Sequence, residues 1–199
     1  MACLEKETLS GRICPMAEDE LIQRSREGDV DCFNQLVERY QREVYNLSLR
    51  MLGNAQAAED ATQDAFIAAF KGISKFRGGS FRAWLFRIAA NACRDQLRSL
   101  RRRPTTSLDA LPLELELDRH TPSPEEYALS RELGEEIRRA LSALPADQRL
   151  AVILRDILGL DYDEIAQATA SSLGTVKSRI SRGRARLRHH LEQYRELFP

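Results

Sequence analysis

Long apolar runs, clustered cysteines, glycine-rich loops and strand-type alternation are all scarce in this 199-residue chain, and each scarcity removes a class of protein. No apolar segment approaches the ~18–20 residues that a membrane span needs, so no insertion into a bilayer is expected. The four cysteines, Cys3, Cys14, Cys32 and Cys93, are too scattered for a disulfide framework. Cys3 and Cys14 have no histidine near them at metal-ligand spacing. The N-terminal MACLEKETLSGRICP lacks the basic start, apolar middle and small-residue end of a secretory signal. A reducing cytoplasm is the expected location. Residues 1–17 read as a loose tail, with Met16 available as a second start. No phosphate-cradling loop, nucleophile–base pair or metal-ligand cluster is present, so no enzyme, cofactor or small-molecule substrate is expected. The histidines are His120 and the adjacent His189 and His190, read as plain surface or as extra phosphate contacts.

What remains is helix and segregated charge. Hydrophobic residues make up 43% of the chain and charged residues 30%, ordinary for a globular protein. Apolar residues recur at helical spacing over 18–103 and again over 127–195, and extended runs of alternating Val, Ile and Thr are missing. Between them, PTTSLDALPLELELDRHTPSPE carries four prolines, five acids and no helical period. The expected architecture is all-α: two small helical domains joined by an extended, acidic, Pro-rich linker over 104–126. The chain is formally neutral, with 30 Lys plus Arg against 30 Asp plus Glu, yet the balance is local. Lys71 to Arg103 holds ten basic residues and one acid, a net of 10 − 1 = +9. Ser107 to Glu136 holds nine acids and two arginines, a net of 2 − 9 = −7. Each domain therefore carries a basic stretch, either a phosphate-binding footprint or a solvated helix face.

In LGTVKSRISRGRARLR, Leu173 to Arg188, six residues are basic and none is acidic. On a helical wheel Val176, Ile180, Gly183, Leu187 and Leu191 form a core side. Lys177, Ser178, Ser181 and Arg182 lie opposite. Tyr162 to Ala166 opens a short helix before it, a turn follows at Ala170–Gly174, and Ser172 or Thr175 can cap the second helix. Two short helices, a tight turn and a basic second helix make a helix-turn-helix, whose second helix enters the major groove.

The other basic stretch, Phe76 to Arg103, puts Phe86, Ala89, Ala90, Cys93, Leu97 and Leu100 on its core face. Trp84, the only tryptophan, falls opposite with Asn91, Asp95 and Arg98. Two readings of that ring stand: a stacking surface for an unpaired base, or packing against a neighbouring helix. The Arg77-Gly78-Gly79-Ser80 loop before it, flanked by Phe76 and Phe81, can shape a pocket for a flipped base. A third helix, Ala57 to Phe70, buries Ala58, Ala65, Phe66, Ala69, Phe70 and then Ile73. It exposes Asp60, Gln63, Asp64 and Ile67, either as ordinary partners of the helix dipole or as a protein-docking face.

These segments together, AEDATQDAFIAAFKGISKFRGG, FRAWLFRIAANACRDQLR, the Pro-rich acidic linker and ALPADQRLAVILRDILGLDYDEIAQATASSLGTVKSRISRGRARLR, resemble a bacterial extracytoplasmic-function (ECF, group IV) RNA polymerase sigma factor of the sigma-70 family over about residues 18–195. The resemblance implies that 18–103 is sigma region 2 and 127–195 sigma region 4. It implies that Asp60, Gln63, Asp64 and Ile67 dock on the β′ clamp of core RNA polymerase, with the β flap as a further partner. Phe76, Arg77, Ser80, Trp84, Asn91, Asp95 and Arg98 then match positions around the −10 promoter element. Thr175, Lys177, Ser178, Ser181 and Arg182 match positions reading the −35 element. The linker would thread the polymerase, and an anti-sigma factor is an implied partner. Ser181 is small where some relatives carry a bulky group, and Asp95 is a carboxylate where others have Asn, which bears on promoter sequence. A helix-turn-helix regulator on intact duplex, acting without polymerase, is the competing reading; it leaves Trp84 and the Asp60–Asp64 face without a use.

Overall fold

The computed structural model describes residues 16–102 and 124–192, with side-chain packing for 16–100 and 133–192. The expectations for the tail over 1–15 and for 103–123 of the linker lie outside the described residues. Among the described residues there is no β-strand. The order is α1 (Glu18–Arg26), α2 (Val30–Leu52), α3 (Ala55–Gly72), a 3-10 turn (Ile73–Lys75), α4 (Phe81–Arg102), α5 (Pro124–Ser142), α6 (Ala146–Val152) running into a π-helical turn (Ile153–Ile157), α7 (Tyr162–Thr169) and α8 (Leu173–Leu191).

The helix boundaries follow from capping chemistry. Asp29 accepts from Cys32 N–H at 3.0 Å to start α2, and Asn54 accepts from Ala57 N–H at 2.8 Å to start α3. Gly53 between them sits at φ 70°, the left-handed conformation that ends a helix without steric cost. Ser80 caps α4, accepting from Ala83 N–H at 3.1 Å. Helix α5 begins at Pro124, a proline in the first helical position, where no N–H is needed. The second helical segment thus starts three residues before the boundary read from composition.

Helix α2 buries Phe33, Leu36, Tyr40, Val44, Leu47 and Met51, a spacing of threes and fours that keeps one face inward. Helix α3 answers with Ala58, Ala61, Ala65 and Ala69, all fully buried. That small-residue seam lets α2 and α4 approach closely on either side. From α4 come Phe86, Ala89, Ala90 and Cys93, as the wheel predicts. Two residues depart from it. Leu100, in the last turn of α4, is 38% exposed, and Phe70, near the end of α3, is 43% exposed with its ring edge on Phe33.

The second lobe, α5 to α8, packs Leu150, Ile153, Leu154, Leu160, Ile165, Val176 and Ile180 into a core continuous with that of the first lobe. Gly183 lets α8 lie close on α6: a Cβ there would stand 2.6 Å from Val152 Cγ2. The π turn closes with Leu158 N–H on the carbonyl of Ile153 at 3.0 Å. The lobes touch along α2 against α5 and α6, and along α4 against α7. Arg149 crosses the boundary to donate to the carbonyl of Met51.

Candidate nucleic-acid interface

Three surfaces emerge, and the fold positions each by a different device. The first is the groove between α2 and α3. Asp60, Gln63, Asp64 and Ile67 are exposed along α3. Beside them Val30, Phe33, Val37, Phe66, Ile67 and Phe70 line a cleft of about 440 Å³. Periodicity alone assigns Phe66 and Phe70 to the core and passes over Val30 and Phe33. Gln63 and Lys71 border this apolar cleft, and Asp60 and Asp64 lie along the same helix.

The second surface is built by the loop and α4. Phe76 is buried, its ring 5.3 Å from that of Trp84 and 5.7 Å from that of Phe81. Trp84 in turn lies 5.4 Å from Phe81 and packs over Gly72. The tryptophan is therefore neither a bare wedge nor a core residue: half-buried, it is held by two aromatic neighbours and shows the rest of its ring to a cleft. That cleft, about 350 Å³, is lined by Lys75, Phe76, Arg77, Gly78, Ser80, Trp84 and Arg87 from this lobe, with Gln167 and Ala170 from the other. Lys75 and Arg87 were not singled out from the sequence, although Arg87 sits one helical turn after Trp84. Basic side chains around a fixed aromatic face suit a stacked base and its phosphates.

Farther along α4, Asn91, Asp95 and Arg98 are exposed as expected, but not as independent groups. Arg94 donates to Asn91 Oδ1 at 3.1 Å, and Arg98 donates to Asp95 Oδ1 at 2.9 Å. Asp64 of α3 joins Asn91, Asp95, Gln96 and Ser99 around a cleft of about 490 Å³. The exposed face of α3 and the α4 stripe are thus continuous.

The third surface is the helix-turn-helix. Asp161 accepts from Glu164 N–H at 2.7 Å while Glu164 accepts from Asp161 N–H at 3.1 Å, a reciprocal cap that fixes the start of α7. Ala170 ends α7 in the left-handed conformation at φ 49°. Ser172, of the two candidates, caps α8, accepting from Thr175 N–H at 3.3 Å and sharing a 2.9 Å bond with its hydroxyl. The six basic residues of α8 then divide. Arg179 pairs with Asp147 at 3.0 Å and Arg184 pairs with Asp156, while Arg186 donates to Gln148 at 3.2 Å. Lys177 stands 6.0 Å over the Tyr162 ring, and Ser181 and Arg182 are exposed. Ser178 donates to the carbonyl of Thr175 at 2.9 Å. Gln148 is uncharged, so Arg186 keeps its charge; Lys177, Ser178 and Ser181 stand in the N-terminal half of α8, the part a helix-turn-helix presents to base edges.

Among the described residues no group of three or more His, Cys, Asp or Glu could hold a metal ion, and no helix is long and apolar enough to cross a membrane.

Comparison with known proteins matches the two lobes in chain order. The Sigma-70 region 2 model matches residues 36–103, and the Sigma-70, region 4 model matches residues 134–187. The ECF RNA polymerase sigma-E factor of Escherichia coli K12 is 39% identical over 175 residues, 85% of this chain and 91% of that protein. The ECF RNA polymerase sigma factor SigE of Mycolicibacterium smegmatis is 39% identical over 163 residues, 81% of this chain; the chain spans 62% of that longer relative. Among solved structures, CnrH in complex with the cytosolic domain of CnrY aligns with a TM-score of 0.68 at 26% identity, over 89% of this chain and 99% of that one. The sigma factor RpoE in complex with the anti-sigma factor NepR from Bartonella quintana aligns with a TM-score of 0.63 at 26% identity, over 80% and 96%.

Proposed function

The chain belongs to the ECF sigma factors of the sigma-70 family, proteins of transcription initiation, and from that premise we propose how its three surfaces divide the work. The apolar groove with Asp60, Gln63, Asp64 and Ile67 docks on the β′ clamp of core RNA polymerase, and the second lobe meets the β flap. The loop cleft with Arg77, Ser80 and Trp84 takes an unstacked base of the −10 element, and the Asn91–Arg98 stripe follows the opened strand. The N-terminal half of α8, with Thr175, Lys177, Ser178, Ser181 and Arg182, reads the −35 element. Residues 18–103 act as sigma region 2 and 127–195 as sigma region 4, with 104–126 as the connection and 1–17 as a tail. Polymerisation chemistry belongs to the polymerase, and the work is cytoplasmic. Membership in group IV and control by an anti-sigma factor complete the reading, the latter supported by the RpoE–NepR complex.

The observation that carries the proposal is Trp84 itself, fixed by Phe76 and Phe81 with one part of its ring left facing a basic cleft. A regulator that reads intact duplex has no use for it. Stacking of one base on an aromatic contributes ~1–3 kcal/mol. Permanganate reactivity of −10 thymines, measured in the complex with core polymerase, is expected to fall about 5- to 100-fold in Trp84→Ala at limiting protein. Strand opening equal to wild type would remove the base-capture role.

A further inference from the structure

Two arginines of the α4 stripe act on its other members. Arg94 donates through Nη1 to Asn91 Oδ1 at 3.1 Å, and Arg98 donates through Nη1 to Asp95 Oδ1 at 2.9 Å. An arginine side chain holds donors and no acceptor, so whatever atom it faces must accept. For an asparagine this decides how the amide is turned: Oδ1 faces Arg94 and the NH2 group points the other way. Among the described residues that NH2 group has no partner, and neither has Oδ2 of Asp95. Asn91 and Asp95 are one helical turn apart on the same face, and both are exposed. They line the cleft of about 490 Å³ between α3 and α4, whose wall holds the carboxylates of Asp64 and Asp95 and neither lysine nor arginine. Such a wall repels a phosphate but not an uncharged base edge.

We propose that Arg94 and Arg98 set the hydrogen-bond polarity of this face: Asn91 reads an acceptor edge, guanine or thymine, and Asp95 reads an amino group, cytosine or adenine, at two positions of the opened −10 strand. This rests on the reading of the stripe as a −10 surface. A free asparagine selects adenine, its oxygen accepting from N6 while its NH2 group donates to N7. With the oxygen held by Arg94 that two-bond match is lost, and the adenine N6 amino group meets the Asn91 NH2 group, donor against donor. On the same edge guanine offers O6 and N7, and thymine offers O4, all acceptors. Asp95, an acceptor, takes a hydrogen bond from cytosine N4 or adenine N6, whereas guanine and thymine would set acceptor against acceptor. Arg94 and Arg98 are thus positioning residues, acting through the groups they hold.

The test is run-off transcription by core polymerase carrying this protein, on templates randomised through the −10 element, with the initiating templates sequenced. Asn91→Ala identifies the first position by flattening its base preference. There the wild type is expected to favour guanine or thymine over adenine by about 2- to 10-fold, the effect of one hydrogen bond. Arg94→Ala frees Oδ1, and the ratio of adenine to guanine is expected to rise about 5- to 100-fold as the bidentate match returns. Loss of the Arg94 charge by itself weakens initiation on all templates alike and leaves that ratio unchanged. Arg94→Lys, which still offers only donors, is expected to keep the wild-type preference. In Asp95→Asn the amide oxygen stays with Arg98 and the NH2 group points outward, so the second position should turn from cytosine or adenine to guanine or thymine. A ratio that Arg94→Ala does not move overturns the proposal, as does a wild type that selects adenine at the position Asn91→Ala flattens. If Asn91→Ala changes no position at all, the −10 reading of the stripe falls and takes the proposal with it.

Discussion

Gly183 sets how closely α8, the helix proposed to read the −35 element, lies on its support, and Gly183→Ala measures that closeness. A Cβ at this position would stand 2.6 Å from Val152 Cγ2, 3.4 Å from the Gln148 carbonyl oxygen and 3.5 Å from Leu144 Cδ2. Carbon atoms in good contact sit ~3.5–4.0 Å apart, so the Val152 methyl must retreat by about 1 Å. It cannot do so cheaply: Val152 is buried, β-branched and held to one favoured rotamer by its helix. Overpacking of this kind costs ~1–3 kcal/mol, against which alanine in a helix interior returns ~1 kcal/mol relative to glycine. The expected net loss is about 0–2 kcal/mol. Gly174, in the first turn of the same helix, faces open space: a Cβ there would meet nothing within 4 Å, so Gly174→Ala is expected to stabilise by ~0.4–1 kcal/mol. Urea denaturation of both variants at unchanged m gives the difference, expected at about 0.4–3 kcal/mol. In heating scans each kcal/mol corresponds to about 2–4 °C for a chain of this size. Duplex −35 binding should weaken in Gly183→Ala alone, because α8 is pushed off α6 while its outer face is unchanged. If Gly183→Ala is as stabilising as Gly174→Ala, the close approach of α8 to α6 is refuted.

Other expectations are independent of this one. Arg182→Ala should reduce the salt dependence of −35 duplex binding by a slope of about 1 if the side chain meets a phosphate, and a base-edge role would instead relax specificity at one position by ~1–3 kcal/mol. Replacing Asp60, Gln63 and Asp64 together by Ala should weaken co-elution with core polymerase while leaving the melting temperature within about 6 °C, since surface changes stay within ~0.5 kcal/mol each; unchanged co-elution would remove the docking face. Burial pushes the Cys93 thiol up to about 11, and burial together with the hydrogen bond to Glu18 raises the Tyr40 phenol. Both groups bind their protons more tightly when folded, so their contribution is whole below the unfolded values of ~8.5 and ~10 and is lost as pH rises. Stability should therefore fall between about pH 8.5 and 11, and a thiol reagent at pH 8 should leave Cys93 unmodified until denaturant is added; a flat alkaline limb with a reactive Cys93 would contradict its burial.

The helices were legible because apolar spacing and caps agree. Val176, Ile180 and Gly183 point inward on α8 as the wheel places them, and Asn54, Ser80 and Ser172 begin helices where short polar side chains precede periodic runs. Periodicity gives direction and not the presence of a neighbour. Phe70 and Leu100 point along the core face of their helices, but near the helix ends they remain partly uncovered, and in Phe70 that exposure is part of the apolar groove between α2 and α3. Charge pairing was illegible for a related reason. The acids that neutralise Arg179 and Arg184 lie 32 and 28 positions away, on other helices. The Ser80–Glu164 bond spans 84 positions, and no local pattern announces a contact between lobes.

The most direct test of the central claim is run-off transcription with purified bacterial core polymerase on a promoter library, with and without the protein. Defined transcripts are expected only when the protein is present, all from templates sharing one −35/−10 class, and are expected to be lost when Asp60, Gln63 and Asp64 are changed together. Shifted duplex DNA without polymerase, and no initiation with it, would rule out a polymerase subunit and leave a helix-turn-helix regulator in its place.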